Sequence, residues 1–274
     1  MHPAPGPVLD VLLPVGSPRP RVEVEPGEPV LTELYAHPAP AGAGAWVRAN
    51  MIGTLDGAAT GSDGRSGSIN GPADHRVFAV LRSLADVVLV GAGTVRAEGY
   101  GELPVRDDLR RARADRGQRP ELELAVVTRS GALPDHLLDA GRPPWVLTVE
   151  DRPDLDALRR RVGAERVLAA GVGDVDLAAA LRLLAARGLP RVLTEGGPRL
   201  LGDLLAAGLV DDLCLTTTPC LVGGTARRVV DRDDWLAPPE TARCAHLLHS
   251  DGVLLGRWLL TAPGARAVEP RTLD

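Results

Sequence analysis

Residues 86–94 read Asp-Val-Val-Leu-Val-Gly-Ala-Gly-Thr, an unbroken branched-aliphatic run that ends in a glycine-rich turn. An apolar run without polar alternation is typical of a strand that is covered on both faces, as in a parallel sheet. A second run, Arg191–Thr194, leads in the same way into Glu195-Gly196-Gly197-Pro198. Strands that each lead into a turn and a helix predict a three-layer αβα fold around a mostly parallel sheet.

The alternation of strands and helices continues along the chain from Trp46 onward. Apolar periodicity predicts strands and helices with the following bounds: strands Trp46–Ile52, Asp86–Val90, Leu122–Thr128, Trp145–Val149, Arg166–Ala169, Arg191–Thr194, Leu213–Thr218 and Val253–Thr261, and helices Pro72–Ala85, Asp176–Arg187 and Arg199–Ala207. No helix of adequate length separates the last two strands, so we expect the sheet to be mixed, with antiparallel pairing at its C-terminal edge. The charged stretch Arg106–Arg119 predicts an exposed helix or loop.

The sequence indicates one main domain. Residues 1–45 are rich in proline and glycine and predict an N-terminal extension packed on the domain, with a short helical piece around Val30–Tyr35. Residues 46–262 form the predicted domain, and residues 263–274 form a C-terminal tail.

Composition excludes several classes of function. The 274 residues carry a net charge of −5 and only seven aromatic side chains, which argues against nucleic-acid binding. No apolar run approaches membrane-spanning length, and the N-terminus has no signal-peptide pattern, so we expect no membrane association. Three cysteines without C-x-x-C spacing are typical of reduced thiols in a cytoplasmic protein. The motifs of zinc deaminases are absent, and we expect no metal.

Three turns at the carboxyl ends of predicted strands are candidate phosphate sites, because ligands bind at this edge of open α/β sheets. At Gly196-Gly197, glycines allow close approach and Pro198 opens a helix whose free N–H groups favour an anion. Gly91-Ala92-Gly93-Thr94 is a weaker signal of the same kind. Thr128-Arg129-Ser130 places two hydroxyls beside a guanidinium, which suits the 2′-phosphate of NADP. Each turn has the alternative of a connection without a ligand, and Thr128-Arg129-Ser130 taken alone favours a solvated turn.

Two carboxylates adjoin the glycine turns. Glu98 follows the first turn and Glu195 precedes the second, so these residues are the candidates for proton handling or for binding a substrate hydroxyl. The sequence does not decide which of them, or an ordered water, supplies a proton.

Taken together, these residues resemble the reductase domain of riboflavin biosynthesis, which has the dihydrofolate reductase fold. The resemblance covers about residues 46–260, and its markers follow one another in family order: Asn50-Met-Ile-Gly-Thr-Leu-Asp-Gly57, Leu81-Arg82, Asp86–Val95, Val105-Arg106, Thr194–Pro198, Leu209–Leu213 and Pro219-x-Leu-x-Gly-Gly224. The segment Glu98-Gly99-Tyr100 is similar to a stand-alone actinobacterial branch, the pyrimidine reductases.

The resemblance implies NADPH as cofactor and a small-molecule substrate, and the family usually forms homodimers. It implies cofactor contacts at Ile52, Ser68, Gly91, Gly93, Thr94, Glu98 and the loop Gly196–Gly202, which includes Gly197, Pro198, Leu200 and Leu201, with Thr128, Arg129 and Ser130 around the 2′-phosphate. It implies substrate contacts at Asn50, Ser66, Arg82, Leu103, Arg106 and Glu195, with the two arginines on the ribose phosphate. Asn50 replaces the lysine of the fused enzymes, and Ser68 replaces a common tryptophan.

The resulting hypothesis is hydride transfer from NADPH to 5-amino-6-(5-phosphoribosylamino)uracil, giving its ribitylamino product. One alternative is reduction of dihydrofolate or another pterin in the same pocket. Against it, Asp74 falls too early on its predicted helix to match the acidic residue of dihydrofolate reductases. The other alternative is a non-catalytic NADP-binding protein.

Overall fold

The computed structural model describes residues 6–38, 44–130 and 133–260. Within these residues, eleven strands form one sheet in the order β2-β1-β10-β11-β9-β3-β8-β4-β5-β6-β7. Their bounds are β1 Leu9–Leu13, β2 Arg21–Val22, β3 Trp46–Thr54, β4 Val87–Gly91, β5 Glu123–Val127, β6 Trp145–Thr148, β7 Val167–Ala169, β8 Arg191–Gly196, β9 Asp212–Thr218, β10 Ala242–Ser250 and β11 Val253–Leu260.

In the described part of the chain, eight α-helices accompany the sheet: α1 Pro29–Leu34, α2 Pro72–Leu84, α3 Ala92–Glu98, α4 Asp107–Asp115, α5 Asp135–Leu138, α6 Leu155–Val162, α7 Leu177–Ala186 and α8 Pro198–Ala206. Their ends follow local chemistry. Proline occupies the first turn of α2 and α8, where a missing N–H costs nothing. The Asp176 carboxylate caps α7 by accepting from the backbone N–H of Ala179. None of the helices within the described residues is long and apolar enough to cross a membrane.

Alternate residues of the central strands enter two different cores. In β4, Val88 and Val90 pack in one hydrophobic cluster, which also contains side chains of α2 and α4. Val87 and Leu89 pack in the other cluster, with side chains of α7 and α8. Because successive side chains of a strand point to opposite faces, these two clusters lie on the two sides of the sheet. The predicted three-layer architecture is confirmed.

The pairing directions also agree with the prediction. β9, β3, β8, β4, β5, β6 and β7 run parallel to one another. β11, β10 and β1 pair antiparallel beyond β9. The carboxyl ends of the parallel strands therefore share one edge, which holds both glycine turns and the segment that follows β5.

Residues 106–119 depart from the sequence prediction, which treated this stretch as solvated surface. Leu109 and Arg113 of α4 are fully buried. The guanidinium of Arg113 donates to the backbone oxygens of Ser83 and Ala85, buried carbonyls at the end of α2. A helix end leaves its last carbonyls without partners, and a buried arginine can satisfy several at once. Charge density alone misled the prediction.

The N-terminal segment forms strands that the sequence did not predict. β1 pairs with β10, a strand that was also missed, and extends the antiparallel edge of the sheet. The buried ion pair between Arg76 of α2 and Glu28 fixes the start of α1. The expected short helix is present as α1, whereas Thr261 and the predicted tail 263–274 lie outside the described residues.

Candidate active site

A cavity of about 730 Å³ opens at the carboxyl edge of β3, β8 and β4. Helices α2, α3 and α8 form its walls, together with part of the loop between β9 and β10. The residues that line it include Asn50, Ile52, Ser66, Asp74, Phe78, Gly91, Gly93, Thr94, Glu98, Tyr100, Glu195, Gly197, Pro198, Leu200 and Arg227. The chemistry of the site is concentrated in three carboxylates and one glycine turn.

Glu195 is held by two donors at the end of β8. The guanidinium of Arg82 donates two hydrogen bonds of 2.7 Å to its two carboxylate oxygens. The phenol of Tyr100 donates a third, of 2.5 Å. Burial and the neighbouring Glu195 carboxylate raise the pKa of Tyr100 well above its usual value, so the phenol keeps its proton. The carboxylate is thereby fixed as an oriented acceptor at the cavity wall.

Arg82 reaches this site from the last turn of α2. Side chains of a helix lean toward its N-terminus, and that direction carries Arg82 along the sheet toward the carboxyl edge. The guanidinium lies 4.1 Å from the centre of the Phe78 ring, one turn earlier on the helix. Because its Nε and one terminal nitrogen both donate to Glu195, Arg82 orients this carboxylate.

Glu98 ties the glycine-rich loop of residues 61–71 to α3. Its carboxylate accepts from the backbone N–H and the hydroxyl of Ser66, at 3.0 and 3.1 Å. Both residues line the cavity. Glu98 therefore positions the loop and also faces the place where a ligand would lie.

The second glycine turn has the geometry of a close-approach site. Gly196 has φ of +92°, a backbone conformation that side chains rarely adopt. A Cβ atom on Gly197 would lie only 2.7 Å from the Thr94 hydroxyl oxygen. Pro198 then begins α8, whose first N–H groups have no partner within the helix. The contact with Thr94 explains why residue 197 is a glycine, and the start of α8 presents backbone N–H donors that suit a phosphate group at the cavity wall.

Asp74 corrects the sequence analysis, which placed it too early on its helix to serve the pocket. Its carboxyl lines the cavity, is only 7% exposed, and accepts a 2.7 Å hydrogen bond from the Thr216 hydroxyl of β9. Burial raises the pKa of Asp74, while the Thr216 bond opposes that shift. The expectation was wrong because α2 begins at the cavity edge, so that even a residue in its first turn faces the pocket.

Several predicted site residues lie elsewhere. Ser68 is on the exposed side of its loop, where its hydroxyl bonds to Asp63. Leu201 is buried in the core beneath α8, and Gly196 is buried at the end of β8. Leu103 lines a separate cleft beside β5.

Arg106 is also outside the cavity lining. Its guanidinium forms an ion pair of 2.6 Å with Asp108, in the first turn of α4. The arginines on the cavity wall are instead Arg199 and Arg227. Arg227 belongs to a loop that the sequence analysis did not interpret, because the loop has neither periodicity nor a recognisable motif.

The segment Thr128-Arg129-Ser130 follows β5, next to β4 in the sheet. Thr128 is buried, whereas Arg129 and Ser130 are exposed. The segment is therefore at the same edge as the cavity, one strand beyond the glycine turns.

Residues 45–255 match the family described as RibD C-terminal domain. This chain belongs to that family. It is 33% identical over 189 residues to the 2,5-diamino-6-ribosylamino-4(3H)-pyrimidinone 5′-phosphate reductase of Methanothermobacter thermautotrophicus, an alignment that covers 68% of this chain and 83% of the relative. It is 25% identical to the riboflavin biosynthesis protein RibD of Escherichia coli, covering 66% of this chain and 50% of that protein.

Solved structures show the same fold. A pyrimidine reductase-like protein from Corynebacterium diphtheriae superposes with a TM-score of 0.72 at 24% identity, covering 85% of this chain and 99% of that chain. The yeast riboflavin biosynthesis reductase Rib7 superposes with a TM-score of 0.59 at 17% identity, covering 85% and 99%. The expected RibD-like fold is confirmed.

The ion pair between Arg82 and Glu195 should contribute measurably to the free energy of unfolding. Arg82→Met leaves a carboxylate that is 4% exposed without its counter-charge, and we expect the free energy of unfolding to fall by about 2 kcal/mol. Adding Glu195→Gln should restore part of that loss. Arg161→Met, which breaks an exposed pair with Asp139, is the matched control and should change little. Strictly additive effects of the two substitutions in urea unfolding would show that the pair is not coupled.

Proposed function

We propose that this chain is an NADPH-dependent reductase of riboflavin biosynthesis that acts on a phosphoribosylamino-pyrimidine. The observation that carries the proposal is the direct succession, at the end of β8, of an oriented, buried carboxylate and a glycine turn that leads into the N-terminus of α8 at the cavity wall. A site for a substrate hydroxyl thus adjoins a site for a pyrophosphate. A protein that only binds a dinucleotide has no need for the first of these.

The reaction is reduction of the ring-opened, imine form of the sugar. A hydride adds to C1′, the C=N electron pair moves onto nitrogen, and the nitrogen takes up one proton to give the ribitylamino product. Glu195 suits the hydroxyl groups of the opened sugar because Arg82 and Tyr100 hold it as an acceptor. Glu98 on the cavity wall or an ordered water supplies the proton.

The residues at this edge fit NADPH, which supplies the hydride when bound. Gly197 and the start of α8 would hold the pyrophosphate, with Thr94 close beside them. Arg129 and Ser130 would hold the 2′-phosphate at the end of β5. For the sugar phosphate of the substrate, Arg227 on the cavity wall takes the place that the sequence analysis gave to Arg106.

Reduction of a pterin is the second candidate function. Its support is Asp74. The sequence had suggested that this chain lacks the acidic pocket residue of dihydrofolate reductases, and Asp74 places a buried carboxyl in the pocket. Pairing of two copies and a cytoplasmic location stay predictions from the sequence.

The proposed function is tested by turnover of the purified chain with NADPH. One NADPH should be oxidised per phosphoribosylamino-pyrimidine, and Glu195→Gln should lower kcat/KM by up to about a hundredfold because a buried hydrogen bond is lost. Glu150→Gln, on an exposed loop, is the matched control. Turnover of dihydrofolate alone would select the pterin function, and NADPH binding without any turnover would select a binding protein.

Discrimination between NADPH and NADH should depend on Arg129. A charge-assisted bond to the 2′-phosphate is lost in Arg129→Ala, so the Kd for NADPH should rise about tenfold or more while that for NADH stays the same. Arg182→Ala, on the exposed side of α7, should change neither constant. Fluorescence titration with both cofactors measures the four values. An unchanged preference for NADPH in Arg129→Ala would remove this residue from the site.

A further inference from the structure

The β9–β10 loop, residues 219–241, supplies one wall of the cavity, and this wall carries Arg227. The loop lies entirely within the described part of the chain and forms neither a helix nor a strand of the sheet. The Arg227 side chain is 60% exposed and pairs with Asp231 at 3.1 Å. Fixing the backbone of an irregular loop costs conformational entropy. A well-placed Arg227 therefore requires contacts that hold the loop from outside.

Asp56 provides such a contact from the turn that follows β3. Its carboxylate accepts from the backbone N–H groups of Val222 and Gly223, at 3.1 and 2.7 Å. The Thr54 hydroxyl donates to the same carboxylate. Hydrogen bonds from Thr54 and from the Gly223 N–H hold the pKa of Asp56 below its usual range, so the side chain is ionised at neutral pH. Two N–H groups of the loop are thus held by charge-assisted hydrogen bonds.

The backbone next to Asp56 adds two more contacts to the same loop. The N–H of Leu55 donates to the carbonyl of Cys220 at 3.0 Å. The N–H of Ala59 donates to the carbonyl of Arg227 at 2.8 Å. Among these contacts between the β3 turn and the loop, that of Asp56 is made by a side chain. It can therefore be removed by substitution while the backbone contacts stay in place.

The hydrogen bonds of Asp56 reach the loop at its tight turn. Gly223 and Gly224 have φ of +67° and +69°, a conformation that glycine adopts at the lowest cost. Residues 225–227, which follow this turn directly, line the cavity. Because the turn sets the direction of the chain that follows it, release of the turn would loosen the cavity wall.

We propose that Asp56 is a positioning residue for substrate binding. By holding the turn at Gly223, it keeps Arg227 where the guanidinium meets the phosphate of the opened sugar. The described lining of the cavity does not include Asp56, so this residue acts through Arg227. The inference rests on the proposed function, which assigns the sugar phosphate to Arg227, and it adds the residue that presents this arginine.

The first test is the effect of Asp56→Ala on two substrates. KM for the phosphoribosylamino-pyrimidine should rise about tenfold because charge-assisted hydrogen bonds to the turn are lost. The value of kcat and the Kd for NADPH should stay close to those of the wild type. The dephosphorylated substrate offers no group to Arg227, so its KM should not change. Asp56→Asn keeps one acceptor oxygen for the Gly223 N–H, and its KM should lie between those of the wild type and Asp56→Ala.

Asp151→Ala is the matched control. Asp151 is exposed and accepts from the backbone N–H of Gly173 at 3.0 Å, so it joins the loops that follow β6 and β7 away from the cavity lining. This variant should leave both KM values unchanged. Thermal unfolding of both variants reports on the fold separately. A rise of KM in Asp151→Ala equal to that in Asp56→Ala would overturn the inference, as would an unchanged KM in Asp56→Ala or an equal rise on both substrates.

A double-mutant cycle tests whether Asp56 acts through Arg227. Arg227→Ala alone should raise KM for the phosphorylated substrate. Adding Asp56→Ala to it should raise KM no further, because the side chain that Asp56 presents is already absent. Multiplication of the two single effects would show that Asp56 acts on binding by another route and would overturn the inference.

Binding of ribose 5-phosphate, measured by NMR titration without turnover, distinguishes this inference from the proposed function. Its Kd should rise in Asp56→Ala and stay unchanged in Asp151→Ala, while ribose itself should show no difference. If no phosphoribosylamino-pyrimidine is reduced and the Kd still rises in Asp56→Ala, the proposed function fails and the positioning role stands. If the pyrimidine is reduced and Asp56→Ala changes neither KM nor this Kd, the function stands and the positioning role fails.

Discussion

Strand β8 lies inside the sheet, hydrogen-bonded in parallel to β3 on one side and to β4 on the other. Parallel pairing on both sides leaves this strand no freedom to slide, because a shift of one residue would exchange its two buried faces. Its last residues are Glu195 and Gly196, so the rigid strand fixes the carboxylate and the start of the glycine turn together. The relative position of the proposed substrate and cofactor sites follows from this single constraint.

Buried charges hold β9, the strand on the other side of β3, in place. The Asp212 carboxylate accepts from Arg48 of β3 and from Arg257 of β11, all three nearly or fully buried. The same arginines donate to the last carbonyls of α1. Residues 212, 214 and 216 share one face of β9, and the last of them is the Thr216 that binds Asp74. Burying these ions carries a desolvation cost. Their role here is to fix the positions of β3, β9 and β11 relative to one another.

Much of the fold could be predicted because its signals are local. The run Val87–Val90 and the turns that follow β4 and β8 carry the parallel arrangement in a few residues each. The strands β1 and β10 could not be predicted in the same way, since their pairing joins segments more than 200 residues apart in the chain. Arg113 was misread because a charged residue in a charged stretch gives no sign that it will be buried against the end of another helix.

The site residues also divide into those that local sequence signals predict and those that depend on contacts distant in the chain. Glu195, Gly197 and Thr94 are adjacent to sequence motifs, and the structure brings them together in the cavity. Asp74 and Tyr100 depend on contacts with Thr216 and Glu195, which lie 142 and 95 residues away. No periodicity or spacing reports such contacts. Arg106, a position carried over from a family pattern, lies outside the cavity lining and pairs with Asp108.

The central claim is that this pocket directs a hydride to the sugar carbon of a phosphoribosylamino-pyrimidine. The most direct measurement uses NADPH carrying two deuterium atoms at C4 of the nicotinamide, with the product examined by mass spectrometry and NMR. The account predicts one deuterium per product molecule, at C1′ of the ribityl chain. A deuterium on a ring carbon, or a product labelled only by solvent, would contradict it.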